Sequence, residues 1–202
     1  MNAVLEVQNL RKSYGKRQVL QGASFTAYEG QVVAIVGENG SGKSTMLKIL
    51  VGLLSADAGQ VRLSGRIGYC PQALALYDRL TVAEHLAYFG AAYGIAEKNL
   101  AAASQRYLDR FHFSHYLSTK ISELSEGTKQ KLNLTLALIH SPSLLLLDEP
   151  YQGFDWETFK AFTDSLQDMR SEGKSVLLIS HLVTTEVNPD RTLTLKDGVV
   201  YE

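Results

Sequence analysis

The sequence predicts an α/β fold with an antiparallel β-subdomain near its N-terminus and a helical subdomain in its middle, and three features predict it. Two continuous apolar runs, at 32–36 and 144–147, have the length of strands buried on both faces. Shorter runs at 4–7 and 23–27 alternate apolar with polar residues, as strands with one exposed face do. From Thr81 to about Phe113 the apolar period lengthens to three or four, with Val82, Leu86, Phe89 and Tyr93 in step. Strands alternating with helices make an α/β core.

Taken in order, the two alternating runs suggest an antiparallel sheet, and the run at 32–36 feeds a glycine-rich turn, 37–42, that opens a helix over 44–54. Two short strands, 60–63 and 66–69, flank Ser64-Gly65. The helical stretch follows, with a second amphipathic segment at 100–111, and then a helix over 128–140. After the apolar run at 144–147 come a helix over 156–170, a strand over 175–179 and a closing pair, 192–195 and 199–201, around Asp197-Gly198. At 202 residues, 45% of them hydrophobic, the chain can bury a full core and is expected to form one domain. Residues 1–71 and 141–202 are assigned to the core with its β-subdomain, and about 72–140 to the helical part.

Charge and cysteine content narrow the function. Lys and Arg number 20 against 21 Asp and Glu, a formal net charge of -1, so no long-range field favours nucleic acid. A single cysteine, Cys70, rules out an internal disulfide and fits a reducing compartment. No signal-like N-terminus and no run of 18 apolar residues is present, so no direct membrane span is expected and cytoplasm is the expected location.

The segment Gly37-Glu38-Asn39-Gly40-Ser41-Gly42-Lys43-Ser44-Thr45 satisfies G-x-x-x-x-G-K-[ST] between a buried strand and a helix, where that motif must lie. Its glycines let several N–H groups converge on one anion, and the helix start adds partial positive charge. Lys43 is expected to reach the β- and γ-phosphates and Ser44 to place its hydroxyl on Mg²⁺. The fold is therefore expected to be a P-loop NTPase core.

A second acidic feature closes the run at 144–147, where Asp148 and Glu149 precede Pro150. Neighbouring strand residues point opposite ways, so Asp148 is expected to hold Mg²⁺, through water, while Glu149 faces the water that attacks the γ-phosphate. Acids at strand ends also cap following helices, and the phosphate loop in the same chain favours the catalytic reading.

With these pieces in order, nearly the whole chain resembles the nucleotide-binding domain of an ATP-binding cassette (ABC) transporter. Tyr14 stands upstream of the phosphate loop, where the family stacks an aromatic on adenine, and Tyr69-Cys70-Pro71-Gln72 resembles the loop whose glutamine contacts the Mg²⁺ region. Leu124-Ser125-Glu126-Gly127-Thr128 falls at the family signature, Gly153-Phe154-Asp155 matches the loop after the acidic pair, and His181 stands where the family has its switch histidine. A GTPase would need a guanine-reading N-K-x-D, which is absent from the sequence.

The resemblance implies ATP and Mg²⁺ as cofactors and a head-to-tail pair with a second ABC ATPase domain, identical or related. Ser125, Glu126, Gly127 and Thr128 would then meet ATP bound to the opposite subunit, with Gln72 and Asp155 in coupling loops. Glu126 replaces the signature's first glycine and Thr128 its glutamine; the added carboxylate should weaken closure, with Lys129 and Lys131 placed to offset it. The resemblance further implies an integral membrane permease, docked on the helical part, that holds the chain at the inner face of the cell membrane. Tyr77 is the better contact candidate, whereas Phe89 and Tyr93 read as packing. The segments 76–82 and 93–95 resemble the exporter branch with separate permeases. A regulatory or non-transport ABC ATPase is the alternative.

Overall fold

The computed structural model describes residues 2–180 and 186–202. Strands β1 (Ala3–Tyr14) and β2 (Arg17–Tyr28) form a long antiparallel hairpin, and β3 (Val32–Val36) leads into helix α1 (Lys43–Leu50). Then come β4 (Ala58–Leu63), β5 (Ile67–Cys70), α2 (Val82–Ala92), α3 (Glu97–Arg110) and α4 (Glu126–Leu138). The chain closes with β6 (Leu144–Asp148), α5 (Trp156–Ser171), β7 (Ser175–Ile179), β8 (Arg191–Lys196) and β9 (Val199–Tyr201).

Two sheets result among the described residues. One is antiparallel with the order β2-β1-β4; the other has the order β5-β6-β7-β3-β8-β9, parallel except for the edge hairpin β8-β9. The continuous apolar runs fall on β3, buried except at Val36, and on β6, buried throughout, as their lack of alternation implied, and β7 between them is buried too. Leu145, Leu147, Val176 and Leu178 face one cluster with the helices α2 to α5, and Leu144, Leu146, Leu177 and Ile179 face another with α1 and the antiparallel sheet. Truncating any of these leucines to alanine should cost about 2–5 kcal/mol.

Three local readings shift. The short strands on either side of Ser64-Gly65 part company: β4 joins β1 in the antiparallel sheet, while β5 crosses to the edge of the parallel one. Helix α1 stops at Leu50 rather than running to 54, with the turn at Gly52 (φ 77°) directing the chain away. Helix α4 begins two residues early, because the Ser125 hydroxyl accepts the Thr128 N–H at 3.2 Å and caps it. The long helical stretch divides into α2, opened by a capping box between Thr81 and Glu84, and α3.

Register places the chemistry. Ile179 of β7 pairs with Ile35 of β3 on one side and with Asp148 of β6 on the other. The end of β6 and the loop after β3 therefore stand level at the carboxyl edge of the sheet, where α/β folds hold ligands.

Candidate active site

The loop 37–42 hands β3 over to α1 through backbone that only glycine adopts easily. Gly42, the residue before α1, has φ 108°, and a Cβ on it would lie 2.9 Å from Val19 Cγ1. With no side-chain cap on α1, the N–H groups that open the helix remain available to an anion. Lys43 folds back over the loop, its Nζ donating to the Gly37 and Glu38 carbonyls at 2.7 and 2.9 Å. Burial lowers the Lys43 pKa, while the carboxylates of Glu149 and Asp148 pull it upward.

Beside it, Asp148 is 3% exposed and its Oδ1 has no hydrogen-bond partner among the described residues. Burial raises the Asp148 pKa; a hydrogen bond from Ser44 lowers it, Glu149 adds a further rise, and Lys43 and Lys48 oppose it. Glu149 is buried and leaves the strand with φ 49° while its N–H still donates to the Ile179 carbonyl at 3.1 Å. The alternation expected from strand geometry stops there: both carboxylates act on Lys43. Two amides reach Glu149 Oε2, Gln72 Nε2 at 3.2 Å and Gln152 Nε2 at 3.0 Å.

Lys43, Gln72 and Glu149 line a cleft of about 430 Å³ with Tyr14, Arg17, Val19, Asn39, Gly40, Gly42, Ser44 and Thr45. Tyr14 is 51% exposed, with Lys12 Nζ 5.9 Å from its ring centre. Glu38 and Ser41 sit on the loop's other side, along a second hollow with 194–198. A phosphate chain in the main cleft would meet the loop N–H groups and Lys43, with the carboxylates at its far end.

The signature residues lie outside this cleft. Ser125 is exposed and Thr128 is buried, their hydroxyls 2.9 Å apart. Glu126, with 77% of its side chain exposed, pairs with Lys129 at 2.8 Å; Lys131 turns instead toward Asp155, at 4.0 Å. Gly127 abuts Gly153, and Asp155 caps α5 by accepting the Thr158 N–H at 2.8 Å, which helps hold its carboxyl pKa low. The histidine expected to act as the switch, His181, lies outside the described residues.

Sequence reading missed four residues here. Arg17 lines the cleft and donates to the Gly40 carbonyl at 3.1 Å. Gln130 and Asn133, buried on α4, donate to the carbonyls of Pro150 and Pro71, each at 3.0 Å. Gln152 is the fourth. An amide three residues beyond a strand-end glutamate is a faint signal for such a contact; the α4 amides offer polar residues at core positions of a helix.

Comparison with known proteins gives the family. The ABC transporter family model matches residues 20–152. The chain is 36% identical over 199 residues to an uncharacterized ABC transporter ATP-binding protein of Methanocaldococcus jannaschii, covering 98% of this chain and 76% of that one. It is 33% identical over 193 residues to the Nod factor export ATP-binding protein I of Paraburkholderia xenovorans, covering 90% and 64%. A solved ATP-binding subunit of an ABC transporter superposes with a TM-score of 0.92 at 30% identity, over 98% of this chain and 88% of that one. On fold, family match and identity together, this chain belongs to the ABC transporter ATP-binding proteins, nucleotide-binding ATPases.

Proposed function

We propose that the chain is the ATP-hydrolysing subunit of an exporter, in which ATP draws two such domains together and the closure drives a separate membrane permease. The single observation that carries the reading is the meeting of Lys43, Ser44, Asp148 and Glu149 at one sheet edge. In this reading the loop N–H groups and Lys43 bind the β- and γ-phosphates, Tyr14 stacks on the base and Glu149 orients the attacking water.

The donor set suits Mg²⁺. The buried, unpartnered Oδ1 of Asp148 and the adjacent Ser44 hydroxyl are hard oxygen ligands, and Gln72 adds an amide nearby. Bound there, the ion supplies charge neutralisation on the phosphates.

The signature lies outside the cleft, which suits the reading in which a second domain brings its own Ser125 and Gly127 to the γ-phosphate. The name of the Nod factor relative supports export. Among the described residues no helix is long and apolar enough to cross a membrane, and this reading assigns the membrane work to the partner. The contact we propose is the exposed pair Tyr77 and Tyr88, edge to face at 5.6 Å beside a hollow of about 600 Å³ with Asp78, Arg79 and Leu80. Residues 72–140 then act as the part of a single domain that faces the permease. Phe89 and Tyr93, packed inward, fall outside this contact.

The test is Glu149→Gln. Turnover is expected to fall about 10²–10⁴-fold while Mg-ATP binding in calorimetry persists and gel filtration with ATP shows a stalled dimer. Normal hydrolysis by the variant refutes the role given to Glu149.

A further inference from the structure

We infer that Gln152 is a positioning residue for the hydrolytic step, holding the Glu149 carboxylate jointly with Gln72. The inference deepens the proposal above and rests on Glu149 orienting the attacking water. The two amides converge on one oxygen, Oε2, from separate parts of the chain: Gln72 from just beyond β5, and Gln152 from the turn after β6. A carboxylate oxygen accepts two such donors, so the pair fixes the rotation of the whole group.

That constraint matters because Glu149 already stands in the left-handed backbone region, beyond the end of its strand, where the sheet ladder no longer sets its side-chain direction. A group that must present one face to a water within hydrogen-bond range gains rate from being held before the reaction starts. Neutral amides do this without the ion pair that Lys or Arg at position 152 would form, which would weaken the carboxylate as a base.

The supports for both amides lead back to one helix. On α4, Asn133 holds the Pro71 carbonyl, one residue before Gln72, and Gln130 holds the Pro150 carbonyl, two residues before Gln152. The Gln152 side chain otherwise points to solvent, so its replacement removes a hydrogen bond rather than packing.

The experiment compares the full chain with Gln152→Leu, Gln152→Asn and Glu149→Gln, measuring kcat, KM for Mg-ATP, ATP affinity by calorimetry and Tm. Gln152→Leu keeps the volume without the amide; Gln152→Asn keeps the amide on a shorter arm. Loss of one hydrogen bond to a charged group predicts about a tenfold to hundredfold lower kcat for the leucine variant, with KM, ATP affinity and Tm near wild type, and a smaller loss for asparagine. A packing role predicts the reverse order, with leucine the milder change. Wild-type kcat in Gln152→Leu, or asparagine worse than leucine, overturns the inference. Undiminished turnover in Glu149→Gln overturns the reading of Glu149 instead, so the two failures are told apart.

Discussion

Asp148 and Glu149 are neighbours in the chain, yet both of their carboxylates act on the one ammonium of Lys43. Continued strand geometry would have sent them to opposite faces of the sheet. The left-handed φ of Glu149 brings the second acid round beside the first, and this conformation in a residue other than glycine costs about 1–3 kcal/mol. The result is a pair of neighbouring carboxylates that repel each other. Burial, with Glu149 adding to it, pushes the Asp148 pKa up, whereas the Ser44 hydrogen bond, Lys43 and Lys48 offset only part of this.

Asp148→Asn should therefore stabilise the metal-free protein while destroying its Mg-dependent activity. The folded-state pKa of Asp148 lies above its unfolded value, so its favourable contribution is complete below the ordinary carboxylate range. That contribution is lost as pH rises through the folded pKa. The asparagine variant should melt about 2–4 °C higher at pH 7.5, with the gain shrinking as pH falls toward the ordinary carboxylate range. Thermal melts across that range check it, and a lower Tm at neutral pH contradicts the assigned cost.

Lys43→Ala separates loop bracing from phosphate binding. The ammonium holds two loop carbonyls, at 2.7 and 2.9 Å, so its loss leaves those acceptors to water and costs the fold about 0.5–1.5 kcal/mol per bond. The loss for ATP is expected to be larger, because in the proposed site the same ammonium binds the β- and γ-phosphates. Calorimetry should show Mg-ATP binding weakened at least about a hundredfold. Tight binding by the alanine variant would remove Lys43 from the phosphate contact.

The parts of this site that were readable in the sequence are the contiguous ones. The loop 37–45 announces itself because strand, glycines, lysine and helix follow one another, and the acidic pair because it ends an apolar run. What depends on distant partners was not readable. The residues around Ser64-Gly65 look like two strands in either sheet, and only the structure shows β4 and β5 diverging. Gln130 and Asn133 look like ordinary polar positions until the carbonyls of Pro150 and Pro71 are seen opposite them. Gly127 in the first turn of α4 disguised the helix start that Ser125 caps.

Glu126 should act on stability and on closure with opposite signs. At the first position of α4 its carboxylate favours the helix N-terminus and pairs with Lys129, together worth about 0.3–1 kcal/mol at an exposed site. In the proposed closed pair the same charge would face a second domain's γ-phosphate and repel it. Glu126→Ala is expected to lower Tm by about 1–3 °C yet raise the ATP-held dimer fraction seen by light scattering. The gain in dimer should fade as salt rises.

Gly127→Ala tests whether the signature turn and the loop after the acidic pair move as one. A Cβ on Gly127 would lie 2.5 Å from the Gly153 carbonyl oxygen, a backbone atom with no rotamer to escape into. Gly153 itself has φ 79°, and a Cβ on it would lie 3.4 Å from Gly127 Cα. The methyl must push apart α4's first turn and the loop that carries Gln152 and Asp155, the cap of α5. Overpacking of this kind costs about 1–3 kcal/mol, which thermal melts will register. Since the displaced loop also carries an amide held on Glu149, kcat should fall with it, although Gly127 does not itself line the cleft. A Gly153→Ala change strains the same contact from the opposite side, and the double variant should lose less than the two single losses added. Strict additivity would show that the two loops respond independently.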